Sequence, residues 1–150
     1  MRVNVTTRGE KEIEQALKKM SSDCRRDFKG EVYASGLDVQ RKAKGNLKDM
    51  KAWDLGNLAN SIDADLTDGG MTCEIGPTAP YGPYVEHGTK PHFPPPDALE
   101  GWARRHGFSS AWPICKAINE RGLPARPYLF PAWLDVKDKF YNRIKEILKR

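Results

Sequence analysis

The sequence predicts an α+β fold, in which a long N-terminal helix and a C-terminal helix pack on a small, mainly antiparallel β-sheet. Apolar residues recur three to four positions apart near both ends of the chain, which is typical of amphipathic helices. Between these segments, residues 62–75 alternate between apolar and polar side chains around an Asp-Gly-Gly turn, which predicts a β-hairpin. We expect the long helix to cover the apolar face of that hairpin.

The first third of the chain predicts a short strand followed by the long helix. Val3 and Val5 alternate with polar residues, which indicates a half-exposed strand that would join the sheet. Gly9 separates this strand from a helical segment of roughly 30 or more residues. Gly30 and Gly36 lie within the segment and predict a kink or break, because glycine costs about 1 kcal/mol relative to alanine in a helix. The apolar stripe of the segment begins with Ile13, Leu17, Met20, Cys24 and Phe28.

The middle of the chain predicts a helical turn and then the hairpin. Asp54 is placed to cap a turn that ends near Asn60. In the hairpin, the turn Asp68-Gly69-Gly70 separates two alternating segments. Their apolar positions are Ile62, Ala64 and Leu66 in the first segment and Met71, Cys73 and Ile75 in the second.

A pair of short helices is predicted as an insertion over about residues 94–123. Pro94 to Pro96 impose an extended approach to Asp97, which forms a capping box with Glu100. This helix would end at Gly107, and its inward side chains would be Leu99, Trp102 and Ala103.

The second short helix and the final helix complete the predicted elements. The second runs from about Ser110 to Arg121, with Pro113 in its first turn and Gly122 as its C-terminal cap. The final helix has an unbroken apolar stripe formed by Leu129, Trp133, Val136, Phe140, Ile144 and Ile147.

Length and composition indicate one domain over residues 1–150. The chain is 39% hydrophobic and 30% charged, with a formal net charge of +5, so a subunit interface is expected to finish burying its apolar surface. No apolar run approaches the ~20 residues that cross a bilayer, and the N-terminus lacks the apolar region of a secretory signal. We therefore expect a product that is cytosolic when synthesised and makes no membrane contact. Three cysteines without Cys-x-x-Cys spacing are expected to act as small buried apolar residues.

No catalytic, cofactor-binding or metal-binding set is predicted, and we expect a protein that is not an enzyme. Glu86 and His87 are adjacent, so on a helix they point about 100° apart and do not share a ligand. The histidines lack the i, i+4 spacing of a zinc-protease helix, and neither a Gly-x-Ser-x-Gly elbow nor a phosphate-binding Gly-Lys loop occurs. Asp63 and Asp65 share one face of a strand, for which a solvated surface is the preferred interpretation over a divalent cation site.

Two alternative functions stay open at this stage. The two short helices are joined by about four residues, which is compatible with a DNA-binding helix-turn-helix that reads through Lys116, Asn119 and Arg121. A structural role is preferred because the other residues of that second helix are needed for packing. A small metal-dependent nuclease would need Asp63, Asp65 or Glu86 as ligands, and it is the weaker alternative.

Two strings punctuated by glycine and proline are the most informative parts of the chain. Residues 81–91 predict one short helical turn that ends at Gly88 in a left-handed cap. Residues 125–132 lead into the final helix. Aromatic side chains cluster in and around these strings; we expect most of them in the core and some as anchors of a subunit interface. They are Tyr81, Tyr84, Phe93, Trp112, Tyr128, Phe130 and Trp133.

Together these strings resemble the HK97 gp10-like family of tail-component or neck proteins of tailed bacteriophages. Its Tyr-x-x-Tyr-Val-Glu-x-Gly-Thr string matches Tyr81, Tyr84, Val85, Glu86, Gly88 and Thr89. Its Arg-Pro-aromatic and Pro-Ala strings match Arg126, Pro127, Pro131 and Ala132. Its Thr-Gly-x-Leu-x-x-Ser-Ile string matches Gly56, Leu58, Ser61 and Ile62, whereas Leu55 replaces a frequent threonine and Ala59 a common basic residue.

The resemblance implies a non-enzymatic structural virion protein at the head–tail junction, described as a neck, tail-completion or tail-terminator protein. Such a protein would form a closed ring of six copies, or of twelve, with genomic DNA passing through its lumen. Its implied partners are head-closure or adaptor proteins and the tail-tube protein, and it would reside in the virion after assembly in the host cytoplasm. The residues expected at or beside the intersubunit contact are Tyr81, Tyr84, Glu86, Gly88, Thr89, Arg126, Pro127 and Tyr128.

Overall fold

The computed structural model describes residues 15, 18–19, 21–50 and 54–149. The predicted strand at Val3 and Val5, and the first apolar positions of the long helix, lie outside these residues. Within the described chain, α-helices and a two-stranded antiparallel sheet confirm the α+β prediction, with a long helix near the N-terminus and another at the C-terminus.

Helix α1 spans Ser22–Asp49 and is continuous. The Ser21 hydroxyl caps it by accepting a hydrogen bond from the Cys24 backbone N–H at 3.3 Å. The predicted kink or break at Gly30 and Gly36 is wrong, because the helix runs through both residues. Its buried face, which holds it against the rest of the fold, consists of Phe28, Val32, Ser35, Gly36, Val39, Ala43 and Leu47.

The hairpin prediction is confirmed. Strands β1 (Ile62–Thr67) and β2 (Thr72–Pro77) pair antiparallel, with Ile62 opposite Pro77 and Thr67 opposite Thr72. A 3₁₀ turn over Asp68–Gly70 joins them, and its three residues all have positive φ, which glycine adopts without steric cost.

Helix α2 (Asn57–Asn60) precedes the hairpin, but Asp54 does not cap it. The N-cap is Gly56, with a φ of 76°, and no side chain bonds to the helix start. The predicted cap is wrong because the Asp54 carboxylate is taken by Arg105, a partner 51 residues away along the chain.

Helix α3 spans Gly82–His87, and the inserted pair consists of α4 (Pro96–Arg105) and α5 (Trp112–Arg121). The predicted capping box is wrong, since the N-cap of α4 is Pro95 and no side chain caps it. Glu100 instead accepts a hydrogen bond from the Ala111 backbone N–H at 3.0 Å, which ties α4 to the start of α5. Pro113 lies in the first turn of α5 and Gly122 is its C-cap, as predicted.

Helix α6 spans Leu129–Leu148 and packs along α1, which also contacts both strands. The main core lies where these elements meet, around the fully buried Leu47, Ile62 and Leu129. The inserted pair has a separate small core formed by Ala103, Ala111 and Cys115, with Leu99 and Ile114 packed against it. The insertion is therefore held together largely by its own residues.

Candidate assembly site

Helix α3 begins where backbone and side chains are packed too closely for any residue larger than glycine. A Cβ atom at Gly82 would meet the Pro77 ring and lie 3.1 Å from the Tyr128 hydroxyl oxygen. Pro83 follows at the first turn, where the missing N–H has no helical partner to lose. At the other end Gly88 has a φ of 71° and a ψ of −174°. Glycine is needed there as predicted, but the backbone leaves the helix extended and does not form a left-handed cap.

The carboxylate of Glu86 lies at the centre of the site. The residue is only 3% exposed, and its two oxygens accept hydrogen bonds from three successive backbone N–H groups at the start of α6. The distances are 2.8 Å to Tyr128, 2.9 Å to Leu129 and 3.0 Å to Phe130. These N–H groups have no partner within their own helix, and the helix dipole favours a negative charge at that end. Glu86 therefore caps a helix that begins 43 residues further along the chain.

Tyr128 packs against this carboxylate from the side of α6. Its side chain is buried, and its hydroxyl group donates to the Gly82 carbonyl oxygen at 3.4 Å. Its own carbonyl accepts from the Asn46 side-chain amide at 2.9 Å, which connects the site to α1. Burial, and then the nearby charge of Glu86, raises the pKa of the Tyr128 phenol well above its usual range. The ring therefore stays neutral and acts as a packing and hydrogen-bonding group.

Backbone hydrogen bonds complete the connection between the two strings. The Arg126 N–H donates to the Val85 carbonyl oxygen at 2.8 Å. Thr89 and Leu123 form an antiparallel bridge, with N–H to oxygen bonds of 2.9 Å and 3.3 Å.

The two chain segments cross this closely because glycine precedes each bridge residue. Gly88 and Gly122 each have a φ of 71°. A Cβ atom at Gly88 would strike the Leu123 carbonyl oxygen, and one at Gly122 would strike the Thr89 carbonyl oxygen. The crossing closes the base of the insertion, so both ends of the inserted pair leave the body at one place.

The structure brings the eight predicted interface residues together and separates them by exposure. Tyr81, Tyr84, Arg126 and Pro127 are exposed, with Tyr84 58% exposed. Gly88 and Thr89 are half-buried, whereas Glu86 and Tyr128 are buried inside the chain. We call this set of eight residues the joint. Within a single copy of the protein, the buried residues of the joint hold its exposed residues in position.

The sequence matches the family model described as "Bacteriophage HK97-gp10, putative tail-component" over residues 11–88. That range covers more than half of the chain and includes Glu86. The protein belongs to this HK97-gp10-like family. As a member of this family, it is a structural component of a bacteriophage tail and is located in the virion. The match ends at Gly88, so the partner string at residues 125–132 lies outside it. Searches of the curated proteins and of the solved structures find no match.

The expectation that most clustered aromatic residues of this HK97-gp10-like protein lie in the core is wrong. Five of the seven are exposed, whereas Tyr128 is buried and Trp133 is half-buried. Their positions explain the difference, because short helices and bends present only one side to the body and the main core is filled largely by aliphatic residues. The exposed five are Tyr81, Tyr84, Phe93, Trp112 and Phe130.

A second contact, between Asp54 and the insertion, was not predicted. The Arg105 guanidinium donates through Nε at 3.1 Å, and through Nη2, to the two carboxylate oxygens of Asp54. The hydrogen bond from Arg105 lowers the pKa of Asp54 below its usual value. His106 lies beside the pair, and its ring stacks on Trp102 at a centroid distance of 4.0 Å. Trp102 was predicted to point inward, but it is 36% exposed in this surface stack. No local sequence pattern links residues 51 positions apart, so this anchor had no sequence signal.

The structure also shows where the residues considered for metal binding and DNA recognition lie. Among the residues that the structure describes, no three His, Cys, Asp or Glu side chains are grouped to hold a metal ion. Six residues, 106–111, join α4 to α5, and Lys116, Asn119 and Arg121 are exposed on α5.

Cys115 is buried as predicted, whereas Cys24 and Cys73 are only partly buried. Within the described ranges, no helix is both long enough and apolar enough to span a bilayer.

Proposed function

We propose that this HK97-gp10-like protein forms a closed ring at the head–tail junction, where it connects the portal-side connector to the tail tube. The family supports a structural role in the tail. In this proposal residues 1–150 form one domain with the helical insertion at about 94–123, and the protein performs no catalysis. Genomic DNA passes through the lumen of the ring, and head-closure or adaptor proteins and the tail-tube protein contact its two sides.

The observation that carries the proposal is the hydrogen bonding of Glu86 to the start of α6. These bonds fix the backbone of two distant bends in one arrangement, so little backbone ordering is needed when another copy docks. The exposed members include two tyrosines and an arginine, which are residue types that concentrate binding energy at interfaces. In the proposed contact Tyr81, Tyr84, Arg126 and Pro127 touch the neighbouring copy. Glu86, Gly88, Thr89 and Tyr128 contribute by holding those residues in place.

A ring needs a head-to-tail contact, in which two different surfaces of the same chain meet and the rotation between copies closes. The joint supplies one of these two surfaces. We propose six copies in the ring, with twelve as the alternative. A six-copy ring would carry six times the +5 charge of one chain, which attracts DNA at long range and is screened by salt.

The experiment that tests the ring combines a mass measurement with electron microscopy of the purified full chain. The wild type should give a single assembly of six or twelve copies with a central hole. Replacing both Tyr84→Ser and Arg126→Ser should abolish that assembly while the circular dichroism spectrum stays unchanged. A matched control is Phe93→Ser, which alters an aromatic side chain of similar exposure, 47%, outside the joint. A wild type that stays a monomer across the accessible concentration range would overturn the ring.

The position of the ring is tested separately in infected cells. A phage that lacks this gene product should accumulate filled heads and separate tails, and the wild-type chain supplied in trans should restore joined particles. Purified virions should contain the protein at the copy number of one ring or of two. Joined, infectious particles formed without the protein would contradict the proposed location.

A further inference from the structure

Helix α6 has a second apolar stripe, which faces away from the core. Phe130, Leu134, Tyr141 and Leu148 are 53%, 41%, 39% and 50% exposed. Leu134, Tyr141 and Leu148 are spaced seven residues apart, so they lie within about 40° of one line along a helix of 3.6 residues per turn. The half-buried Lys137 and Ile144 fall between them and complete an alternating spacing of three and four residues, although Ile144 also packs against Phe28 and Val32 of α1. This spacing is typical of the seam of a coiled coil. We call Leu134, Tyr141 and Leu148 the outer seam.

The outer seam is distinct from the face that α6 buries against α1. The buried residues of α6 are Leu129, Ala132 and Val136, and the aromatic residue nearest to the seam on that side is Trp133. Trp133 contacts the Tyr141 ring edge-on at a centroid distance of 6.2 Å, which holds Tyr141 in its exposed position. The seam extends about 21 Å along the helix, since each of its 14 residue steps rises 1.5 Å.

The charges beside the outer seam indicate what covers it. Asp138 and Lys145 are both exposed and lie on the same side of the seam. No ion pair is recorded for either residue in the part of the chain that the structure describes. When two identical helices pack antiparallel, the same side of each seam faces its counterpart, whereas in a parallel pair it faces the opposite side. An antiparallel second copy therefore brings the acidic and basic residues of this side together.

The same antiparallel arrangement also matches the apolar residues. With the two-fold axis at Tyr141, the two Tyr141 rings meet, and Leu134 of one copy lies opposite Leu148 of the other. This register places Asp138 within one residue step of Lys145 of the second copy, and the contact occurs twice. A parallel pair in register would place the two Lys137 side chains, which lie within the seam, next to each other. It would also direct Lys145 toward the side that carries Trp133 and Phe140, where no acidic residue is present.

We propose that the outer seam is a docking surface for α6 of a second copy of this chain, packed antiparallel about Tyr141. This contact is two-fold, so it differs from the head-to-tail contact of the ring and does not depend on it. The partner is the same protein, recognised by leucine and tyrosine packing and by the reciprocal Asp138–Lys145 pairs.

Cysteine cross-linking tests the geometry in the full-length protein. Tyr141→Cys should form an intermolecular disulfide under mild oxidation, because position 141 meets itself at the two-fold axis. Asn142→Cys is the matched control, since it is one residue away, exposed, and turned about 100° from the seam. The wild type controls for the three native cysteines. Mixing Leu134→Cys with Leu148→Cys should give a mixed disulfide. Equal cross-linking at positions 141 and 142 would overturn the proposal.

A charge exchange tests the pairing independently of cross-linking. Asp138→Lys and Lys145→Asp should each weaken self-association by about tenfold at low salt, because each creates two like-charge contacts. The double variant Asp138→Lys/Lys145→Asp should restore association to within about twofold of the wild type, since it recreates the pairs in reverse. A double variant as weak as the single ones would overturn the antiparallel register. The Tyr84→Ser/Arg126→Ser protein should lose the ring but keep the Tyr141→Cys cross-link, so failure of the ring and failure of the seam are distinguishable.

Discussion

The Glu86 carboxylate lies 2.8 Å from the backbone nitrogen of Tyr128 and accepts its N–H. A helix of 20 residues thus receives its N-terminal cap from a short helix elsewhere in the chain. Caps usually come from the residue just before a helix. The bond makes the short α3 and the long α6 depend on each other, so the exposed residues around both bends hold fixed relative positions.

Removal of this carboxylate should destabilise the whole fold. Glu86→Ala leaves three N–H groups without acceptors, two of them buried, and we expect a loss of roughly 3 kcal/mol in the free energy of unfolding. Glu86→Gln keeps one carbonyl oxygen and should lose about half as much. Urea denaturation followed by circular dichroism measures both. The control is Glu120→Ala, at an exposed site on α5, which should stay within about 0.5 kcal/mol of the wild type. Equal stability of the Glu86→Ala and Glu120→Ala proteins would show that the cap is energetically unimportant.

Local periodicity predicted the elements that are long or alternate regularly. The stripe from Leu129 to Ile147 identified α6, and alternation around residues 68–70 identified the hairpin, because each pattern reflects burial of one face against the same core. Both predicted side-chain caps failed for one physical reason. Asp54 and Glu100 have the right residue type for a local bond, yet Arg105 and the Ala111 N–H, from other parts of the chain, engage them instead.

The candidate site could be predicted only in its parts. The strings rich in glycine and proline were recognisable, since these residues mark the bends. The family match confirms the resemblance for the strings at residues 56–62 and 81–88, which lie inside the matched range. The bonding of Glu86 to the start of α6 had no local signal, because the two are separated by 42 residues. The exposure of Tyr84 and Phe130 could not be predicted from the sequence either, since an aromatic residue in a bend can lie in a core or at the surface.

The ion pair between Asp54 and Arg105 should make stability depend on acid pH. The pKa of Asp54 is lowered in the folded protein from its ordinary value of 3.8, so the pair contributes fully above that pH. Its contribution is lost as the pH falls through the lower folded-state pKa. We expect the wild type to be more stable than Asp54→Asn at pH 6, and the two to converge once the pH falls below the folded-state pKa of Asp54. Thermal unfolding of both proteins across this range measures the difference.

The matched control for this pair is Asp135→Asn. Asp135 also makes an ion pair, with Lys42 at 3.0 Å, but it does not contact the insertion. Asp54→Asn should additionally raise the rate of proteolysis within residues 89–123, because Asp54 anchors that segment to the body. Equal proteolysis of this segment in both variants would contradict the anchoring role.

Tyr128 should ionise only when the protein unfolds. Burial and the adjacent Glu86 charge raise the pKa of its phenol above the ordinary value of 10.0. Because the folded-state pKa is raised, the contribution of the neutral ring to stability is complete below pH 10.0 and is lost as the pH rises from there through the folded-state pKa. Spectrophotometric titration of the five tyrosines should show one late step that coincides with loss of the circular dichroism signal. Tyr128→Phe should lose that step and about 1 kcal/mol of stability at pH 7, through loss of the hydrogen bond to Gly82. A Tyr81→Phe protein should keep the late step.

Two glycines in α1 should respond oppositely to the same substitution. Gly45 is exposed, and a Cβ atom added there would have no heavy atom within 4 Å, so Gly45→Ala should raise stability by about 1 kcal/mol through helix propensity alone. Gly36 is buried, and its Cβ would collide with the Cys73 sulfur on β2. Gly36→Ala should therefore lower stability by about 1–3 kcal/mol, because the helix and hairpin must separate to admit a methyl group. The double variant Gly36→Ala/Cys73→Ala removes the sulfur and should recover part of the loss. Urea denaturation of the three variants decides the matter, and a stabilising Gly36→Ala would show that α1 and the hairpin are less closely packed than the structure indicates.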